Sequence, residues 1–261
     1  MNLKSKTITL PILGVVKVRG YKNIDSINGK IMSVTISKEL NGKYYISVLY
    51  LMNEKLSRVK PNSIVGSDLG VKNLLTLSDG TVYENSRSIL KYEKRINRMQ
   101  KALSRKVKGS ENYKKCKQKL AVLHSKLTNA RKKYIQEITK EITDNFDIIV
   151  CESLHTKDMI MDGKNTNLSK NINDACFKEI LRQLEYKSRF KGKEFYQINE
   201  YYPSSQVCSR CDSVNKKYKD LSLRDYKCDT CLMEIDRDLN AGINIMFEGF
   251  KMYMNKYKKY F

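Results

Sequence analysis

Apolar and polar residues alternate along the first 58 residues, which predicts β-strands. Residues 7–17 are expected to form an extended segment, which Pro11 limits, and residues 32–37 and 44–51 alternate on either side of Asn41-Gly42. An Asn-Gly pair between two alternating runs is typical of a β-hairpin with a tight turn. The chain up to Pro61 is therefore expected to form a β segment of its own.

A second run of short strands follows Pro61. Residues 63–67 form a short apolar stretch that leads into Asp68, residues 74–77 form another, and residues 82–83 follow an Asp79-Gly80 turn. Turn residues between short apolar runs indicate neighbouring antiparallel strands. This pattern predicts a meander of three strands.

The hydrophobic period changes to that of a helix between residues 86 and 146. Apolar residues recur at steps of three and four on both sides of a break at residues 108–110. This spacing predicts two amphipathic helices that pack as an antiparallel hairpin.

Strands and helices are expected to alternate over the rest of the chain. A buried strand is predicted at residues 147–151, and a helix capped by Asn173 runs to about residue 190. A strand follows at residues 194–198, and a last helix starts near Asp238. The tail over residues 251–261 mixes Lys with aromatic residues, and we expect it either to fray or to contact nucleic acid.

Positive charge is concentrated in the predicted helical hairpin. The 261 residues include 50 Lys and Arg against 28 Asp and Glu, a net charge of +22, and residues 87–140 alone contain 18 basic and 3 acidic residues. A lysine-rich proteome would raise the charge everywhere without clustering it. The clustering favours nucleic acid as a partner over a merely soluble helix face. Four candidate contacts lie off the apolar stripe of the first helix: Lys94, Arg98, Lys101 and Arg105.

The composition also bears on the compartment. No stretch approaches the ~18 apolar residues of a membrane helix, and the N-terminus lacks a charged segment followed by an apolar core. We therefore expect a soluble, cytoplasmic protein without a membrane partner. Nothing in the sequence indicates the oligomeric state.

Four cysteines stand in two pairs, Cys208-x2-Cys211 and Cys228-x2-Cys231. Paired knuckles with 16 residues between them fit a tetrahedral zinc ion with four thiolates, which is a closed, structural type of site. Metal-type rather than disulfide-type spacing agrees with a reducing cytoplasm. The three single cysteines are expected to be small buried hydrophobic residues: Cys116, Cys151 and Cys176.

Three acids occupy similar positions relative to predicted elements. Asp68 and Glu152 each end an apolar strand, and Asp238 opens the last helix. Converging carboxylates repel one another unless divalent cations lie between them, and oxygen ligands suit Mg²⁺ or Mn²⁺. The alternative is that each acid is an ordinary turn or cap residue. Asp236 is either a helper of this site or the cap of the last helix.

Several segments carry a resemblance to a known family. Residues 65–72, 149–154 and 236–241 resemble the three RuvC motifs of the transposon-encoded TnpB nucleases, and residues 182–187 and 204–211 resemble the same family. TnpB proteins are related to the compact type V CRISPR effectors. The resemblance covers residues 7 to about 247 in consistent order.

The resemblance implies an α/β fold, in which an RNase H-like RuvC nuclease domain at residues 59–261 follows a partial, wedge-like β-barrel segment at residues 1–58. A basic helical hairpin at 87–146 and a zinc ribbon at 204–235 would be inserted in the nuclease domain. The implied activity is RNA-guided cleavage of DNA, with a guide RNA from the transposon end. The implied roles are catalytic Mg²⁺ or Mn²⁺ ligands for Asp68, Glu152 and Asp238, and structural zinc ligands for the four paired cysteines.

The sequence departs from the family pattern in several places. Longer family members begin with further strands and a helical insertion, so the chain is expected to be shortened at its N-terminus. Ser67 stands where a hydrophobic residue is usual, Ser153 where Asp or Asn is usual, and Gly242 where Ala is usual. Asp212 and Leu232 follow the knuckles, where Gly is common because it reaches positive φ. Leu232 adopts that conformation poorly, so a different turn is expected after Cys231.

Three hypotheses follow for the function. The first is an active RuvC-type DNA endonuclease, and the second is an RNA- or DNA-binding accessory or repressor protein without specific cleavage. The third is a decayed gene fragment without function. The three intact acids favour the first, since decay would be expected to change at least one of them.

Overall fold

The computed structural model of the protein describes residues 7–19, 29–52, 57–70, 73–85, 88–153, 176–220 and 222–258. The chain forms two compact units, Met1–Lys55 and Leu56–Phe261. Most strands and helices of both units lie where the pattern of apolar and polar residues predicts them.

The first unit contains two antiparallel strand pairs. Strands β1 (Thr7–Leu10) and β2 (Gly14–Lys17) pair with each other, as do β3 (Gly29–Lys38) and β4 (Tyr44–Met52). Gly42 has a φ of 83° in the β3–β4 turn, so the predicted Asn-Gly hairpin is confirmed. The expectation of one extended segment over residues 7–17 was wrong, because the chain turns after Pro11.

The second unit is organised around a five-stranded mixed sheet with the order β7-β6-β5-β8-β9. Its strands are β5 (Ile64–Leu69), β6 (Asn73–Leu77), β7 (Val82–Glu84), β8 (Ile148–Cys151) and β9 (Glu194–Gln197). Strands β5, β6 and β7 form the predicted antiparallel meander, whereas β5, β8 and β9 run parallel.

Four α-helices accompany this sheet in the part of the chain that the structure describes. They are α1 (Ser88–Ser104), α2 (Glu111–Asn145), α3 (Phe177–Phe190) and α4 (Arg237–Tyr257). A short hairpin of β10 (Asp225–Lys227) and β11 (Glu234–Asp236) leads into α4. No helix among the described residues is long and apolar enough to cross a membrane.

Helices α1 and α2 form the predicted hairpin. Gly109 has a φ of 87° in the turn, and the Ser110 hydroxyl accepts a hydrogen bond of 3.1 Å from the backbone N–H of Tyr113. This cap starts α2 because it satisfies a donor that the first helical turn leaves unpaired. Ile96 of α1 packs against Leu123 and Leu127 of α2.

Both faces of the central strands are covered. On one face, Val65 and Ile149 pack with residues of α2 and α3 such as Ile138 and Ile180. On the other face, Val150 packs with Ile245 of α4. Strands buried on both faces read as continuous apolar runs, which explains why the sequence 148–151 shows no alternation.

Helix α4 lies unusually close to the sheet. A Cβ at Gly66 would overlap the carbonyl of Gly242 and the backbone of Met246, and a Cβ at Gly249 would overlap the side chain of Val150. Glycine at these positions lets the helix backbone approach strands β5 and β8 directly. This approach brings the start of α4 to the end of β5.

Two expectations about helix ends need correction. The last helix continues through Tyr257, so the expected fraying is wrong for residues 251–257. Its end is held because Lys256 and the Tyr257 hydroxyl bond to Glu194 at 2.8 and 2.6 Å. Helix α3 begins at Phe177, and the Asn173 cap proposed for it lies outside the described residues.

Candidate metal centres

Two of the three predicted acids meet at one edge of the sheet. Strands β5 and β8 run parallel with Ser67 opposite Cys151, so the next residues, Asp68 and Glu152, lie at the same strand ends. The backbone N–H of Leu69 donates a hydrogen bond of 3.0 Å to Oε1 of Glu152. The register of two parallel strands therefore places these carboxylates side by side.

The third acid reaches the same place from helix α4. Asp238 is in the first turn and is 8% exposed, one turn before Gly242, which packs against the sheet. Gly66 and Asp68 point to the same face of β5, because successive side chains of a strand alternate. The contact of the helix with Gly66 therefore carries Asp238 towards Asp68.

The three acids lie close enough to interact electrostatically. Burial raises the pKa of Asp68 well above its usual value of 3.8, and the negative charges of Glu152 and Asp238 raise it further. Burial raises the pKa of Glu152 from 4.5 to about 7, although the N–H of Leu69 lowers it and Asp238 raises it again. Carboxylates in this state favour either a proton or a cation.

Two arginines that the sequence analysis missed surround Asp238. Arg224 donates from one Nη1 to both carboxylate oxygens, at 3.2 and 3.4 Å. Arg237 donates to Oδ1 at 3.0 Å and also to the carbonyl of Asp220 at 3.2 Å. Arg224 precedes Asp238 by 14 residues and lies in the loop just before β10, so no sequence periodicity links the two residues. Arg237 directly precedes Asp238, so their adjacency was a signal in the sequence, whereas the burial of the Arg237 side chain is visible only in the fold.

The acid Asp236 caps helix α4. Its side chain accepts a hydrogen bond of 2.9 Å from the N–H of Leu239. Of the two roles left open by the sequence, the structure therefore shows the cap. Its negative charge also raises the pKa of Asp68, although less than burial, Glu152 and Asp238 do.

The four paired cysteines converge into one cluster. The Sγ atoms of Cys208 and Cys231 lie 3.6 Å apart, those of Cys211 and Cys228 lie 3.5 Å apart, and all four lie within 4.8 Å of one another. Zn–S bonds of about 2.3 Å in a tetrahedron imply sulfur separations of about 3.8 Å. The cluster therefore fits a structural zinc ion.

The pKa values of two of these thiols are shifted in opposite directions. The N–H of Cys231 and the hydroxyl of Ser213 lower the pKa of Cys228 to about 5. Burial raises the pKa of Cys208 to about 12, so this thiol needs a bound cation to lose its proton.

The two knuckles have the same backbone geometry. The N–H of Asp212 bonds to the carbonyl of Cys208, and the N–H of Leu232 bonds to the carbonyl of Cys228. Asp212 and Leu232 have φ values of 58° and 57°. The expectation of a different turn after Cys231 was therefore wrong, because Leu232 adopts the left-handed conformation that glycine usually supplies.

Comparisons with known proteins agree with this architecture. Residues 47–161 match the OrfB family model of IS605 type, described as "Probable transposase", and residues 177–245 match the model of the Cas12f1-like TNB domain. A relative from Escherichia coli (strain K12), provisionally named RNA-guided DNA endonuclease InsQ, is 34% identical over 95% of this chain and 63% of its own length. A relative from Streptomyces pristinaespiralis, provisionally named RNA-guided DNA endonuclease, is 32% identical over 83% of this chain and 52% of its own length.

The chain belongs to the TnpB family. It spans between about half and two thirds of the length of these two relatives. Its fold is also similar to a chain in the "Cryo-EM structure of the Cas12f1-sgRNA-target DNA complex", with a TM-score of 0.52 and 19% identity over 82% of this chain and 64% of that chain.

Two further departures from the TnpB pattern, at Ser67 and Gly242, have structural explanations. Ser67 is fully buried, and its hydroxyl donates to the carbonyl of Val150 at 3.3 Å and to Sγ of Cys151 at 3.0 Å. Gly242 relieves a tight site, because a Cβ there would lie 3.2 Å from the backbone nitrogen of Ser78. Ser153 is half-buried, and nothing in the structure explains its replacement of an Asp or Asn.

The single cysteines follow the expectation in two of three cases. Cys116 and Cys151 are buried, with 7% and 0% of their surface exposed, whereas Cys176 is half-buried. Cys176 precedes the first residue of α3 and has a φ of 53°, so it lies at a chain bend and packs against the margin of the core.

The basic hairpin of this TnpB-family chain presents its charges to solvent. Lys94, Arg98 and Lys101 are exposed on α1, and Arg105 is exposed just after the helix ends at Ser104. The prediction that these four side chains lie outside the α1–α2 seam is confirmed. Arg105 lies beyond the end of α1 rather than on it.

Proposed function

We propose that the chain is a divalent-metal-dependent DNA endonuclease of the RuvC type, built on an RNase H-like fold. The observation that carries the proposal is the convergence of Asp68, Glu152 and Asp238 from three elements onto one sheet edge. Burial and neighbouring negative charge raise the pKa of Asp68 and of Glu152, and such carboxylates are suited to binding divalent cations.

The three carboxylates would hold Mg²⁺ or Mn²⁺. Bound cations of this kind activate a water and stabilise the leaving 3′ oxygen of a phosphodiester. The residues themselves supply position: the strand register sets Asp68 and Glu152, and the N–H of Leu69 orients the Glu152 carboxylate. Arg237 is buried and holds one oxygen of Asp238, which fixes the direction of that side chain.

Arg224 adds a positive charge at the edge of this site. Its side chain is 41% exposed while it contacts Asp238, so its guanidinium faces both the acid and solvent. Arg224 would compete with a cation for the Asp238 carboxylate. Arg224 therefore stabilises Asp238 in the metal-free chain and must move or share when a cation binds.

The zinc ribbon would be structural. All four ligand positions are thiolates, and a closed four-sulfur site leaves no coordination position for a substrate. The ribbon continues through β11 directly into α4, so it is attached to the helix that carries Asp238.

The proposed substrate recognition is RNA-guided, with the guide RNA drawn from the transposon end. Two observations support it: the names of the relatives, which call them RNA-guided DNA endonucleases, and the exposed basic residues of the α1–α2 hairpin. Lysine and arginine side chains along a helix neutralise phosphates without reading sequence. The hairpin would therefore contribute affinity, and base pairing to the guide would contribute specificity.

The proposal is tested by expressing the chain together with the flanking sequence of its transposon and sequencing the RNA that co-purifies. We expect an RNA that ends at the transposon boundary, and a complex that cuts DNA complementary to that RNA when Mg²⁺ is present. A DNA of the same length without complementarity is the matched control. Equal cutting of both DNAs would contradict guidance, and no cutting of either would contradict the nuclease assignment.

A second candidate is a nucleic-acid-binding accessory or repressor protein without specific cleavage. The observation that favours it is that the exposed basic residues lie on α1, an element that carries none of the three acids, so that binding would not require the acids. Under this alternative, RNA co-purifies and DNA binds, but no DNA is cut.

A further inference from the structure

The side chain of Asn240 connects the zinc ribbon to the turn of helix that carries Asp238. Its Oδ1 accepts a hydrogen bond of 3.0 Å from the N–H of Ser209, and its Nδ2 donates one of 2.7 Å to the carbonyl of Val207. These two groups flank Cys208, the first cysteine of the ribbon. Asn240 therefore holds the backbone on both sides of a zinc ligand.

The same residue lies two positions after Asp238 in the first turn of α4. Asn240 is fully buried, and both polar atoms of its amide are satisfied by the ribbon. A buried amide with both ends paired has a single orientation, since reversing it would place donor against donor. A displacement of Cys208 is therefore transmitted to the first turn of α4.

A second asparagine makes a similar but less direct contact one turn later. Asn244 donates from Nδ2 to the carbonyls of Ser204 and Val207, at 2.8 and 2.7 Å, and is 2% exposed. It contacts the segment before Cys208 but does not reach the residue after it. Asn244 thus offers a matched comparison with Asn240.

We propose that Asn240 is a positioning residue that couples the two metal centres, so that occupancy of either one strengthens binding at the other. Zinc fixes Cys208, Asn240 transfers that order to the first turn of α4, and the Asp238 carboxylate is thereby preorganised for a divalent cation. The inference rests on the proposed function, because it requires a cation at the acids. Coupling between binding sites is reciprocal, so it is measurable from the zinc side.

Arg224 acts in the opposite sense. It belongs to the ribbon and donates to both carboxylate oxygens of Asp238, so it would compete with a cation for this acid. Substituting Asn240 leaves the contact between Arg224 and Asp238 in place. A comparison of chains that differ only at Asn240 therefore separates the effect of the Asn240 hydrogen bonds from the effect of Arg224.

The experiment measures the zinc affinity of the full chain by competition with a chromophoric chelator, without and with saturating Mg²⁺. Mg²⁺ is chosen because it prefers oxygen ligands and leaves thiolates to zinc. We expect Mg²⁺ to tighten zinc binding about fivefold or more, within the usual range for coupled sites. Asn240→Ala should abolish the tightening, whereas Asn244→Ala should retain it.

The two variants are matched in what they leave unpaired. Asn240→Ala leaves the Ser209 N–H without its partner, and Asn244→Ala leaves the Ser204 carbonyl without its partner, while Val207 keeps one donor in each. Both should lose similar thermal stability, so a purely structural role would move both alike. If Asn240→Ala does not fold, Asn240→Ser fills more of the site and should show the same loss of coupling.

A direct titration of Mn²⁺, followed by the electron paramagnetic resonance of the free ion, distinguishes the two ways in which the inference can fail. If Mn²⁺ binds in the starting chain and is lost in Asp238→Asn, the acid site stands. Zinc affinity that is then unchanged or weakened by Mg²⁺, or tightening that survives in Asn240→Ala, overturns the coupling alone. If no Mn²⁺ binds to the carboxylates, the coupling and the proposed function are both overturned.

Discussion

The backbone N–H of Leu69 donates a hydrogen bond of 3.0 Å to Oε1 of Glu152, across two parallel strands that are 83 residues apart in sequence. This contact ties the end of β5, which carries Asp68, to the residue that follows β8. The contact holds the ends of two separate strands together, and helix α4 brings Asp238 to the same place.

The raised pKa values of the acids predict how the metal-free protein responds to pH. Folding raises the pKa of Glu152 from 4.5 to about 7, so this group stabilises the metal-free fold at low pH, and the contribution is lost as the pH rises towards 7. Asp68 contributes with the same sign, because its pKa is also raised. The contribution of these two acids should therefore make the melting temperature of the metal-free protein lower at pH 8 than at pH 5.

Asp68→Asn tests this sign. Without divalent ions at pH 8, the variant should melt at least about 2–4 °C above the starting chain, the shift that 1 kcal/mol produces in a domain of this size. The gain should shrink at pH 5 and reverse when Mg²⁺ stabilises only the starting chain. Asp229→Asn is the control, because Asp229 is exposed and pairs with Lys217. An equal melting temperature of Asp68→Asn and the starting chain at pH 8 would contradict the electrostatic account.

Leu232→Gly should stabilise the second knuckle. Leu232 has a φ of 57° and is 82% exposed, so glycine removes a strained conformation without removing buried surface. A left-handed residue other than glycine costs about 1–2 kcal/mol, and denaturant unfolding of the zinc-loaded protein should show a gain of about 1 kcal/mol. Asp212→Gly should gain less, because Asp tolerates this conformation better. A loss of stability in Leu232→Gly would show that the leucine side chain has a role in packing.

Zinc should be present at about one ion per chain and should act on stability. Cys208→Ser removes a buried thiolate from a closed site, so elemental analysis should show loss of zinc, and the melting temperature should fall. Cys116→Ser serves as the control, because Cys116 is also buried but lies in the α1–α2 hairpin, away from the cluster. A natively purified protein without zinc would refute this assignment.

The exposed basic residues of α1 should govern nucleic-acid affinity. Reversing Lys94, Arg98, Lys101 and Arg105 to Glu should leave the circular dichroism unchanged, because none of them lies in the buried seam. It should weaken binding and reduce the slope of log affinity against log salt by about one for each lost phosphate contact. The control reverses four exposed basic residues outside both the hairpin and the C-terminal tail: Lys178, Arg189, Lys216 and Lys219. Equal effects of both sets would show that only net charge matters.

Local sequence signals predicted the elements well where a turn or a period is decisive. Asn41-Gly42, Asp79-Gly80 and Gly109 each mark a turn with positive φ, and the helical period on both sides of Gly109 gave the α1–α2 hairpin. Strand ends were predictable for the same reason, which is why Asp68 and Glu152 could be singled out before their register was known.

Relationships between distant elements were not predictable in this way. The contacts of Arg224 with Asp238 and of Asn240 with Ser209 depend on how the ribbon folds back on α4. One signal was available: Gly242 and Gly249 lie seven residues, or about two turns, apart on the same face of α4, which favours a close helix–strand approach. Leu232 shows the opposite case, in which the zinc knuckle geometry overrides the local preference of a residue.

The most direct test of the central claim is the rate of DNA cleavage by the guide-loaded protein with Mg²⁺, compared among single substitutions of the three acids. Asp68→Ala, Glu152→Ala and Asp238→Ala should each reduce the rate by on the order of 10³-fold or more, because a catalytic cation supplies several kcal/mol and 1.36 kcal/mol is a factor of ten. The control variant Asp229→Ala changes an exposed acid of the zinc ribbon and should cut at the original rate. DNA binding should persist in all four variants. Full cleavage activity in purified Asp238→Ala would contradict the account.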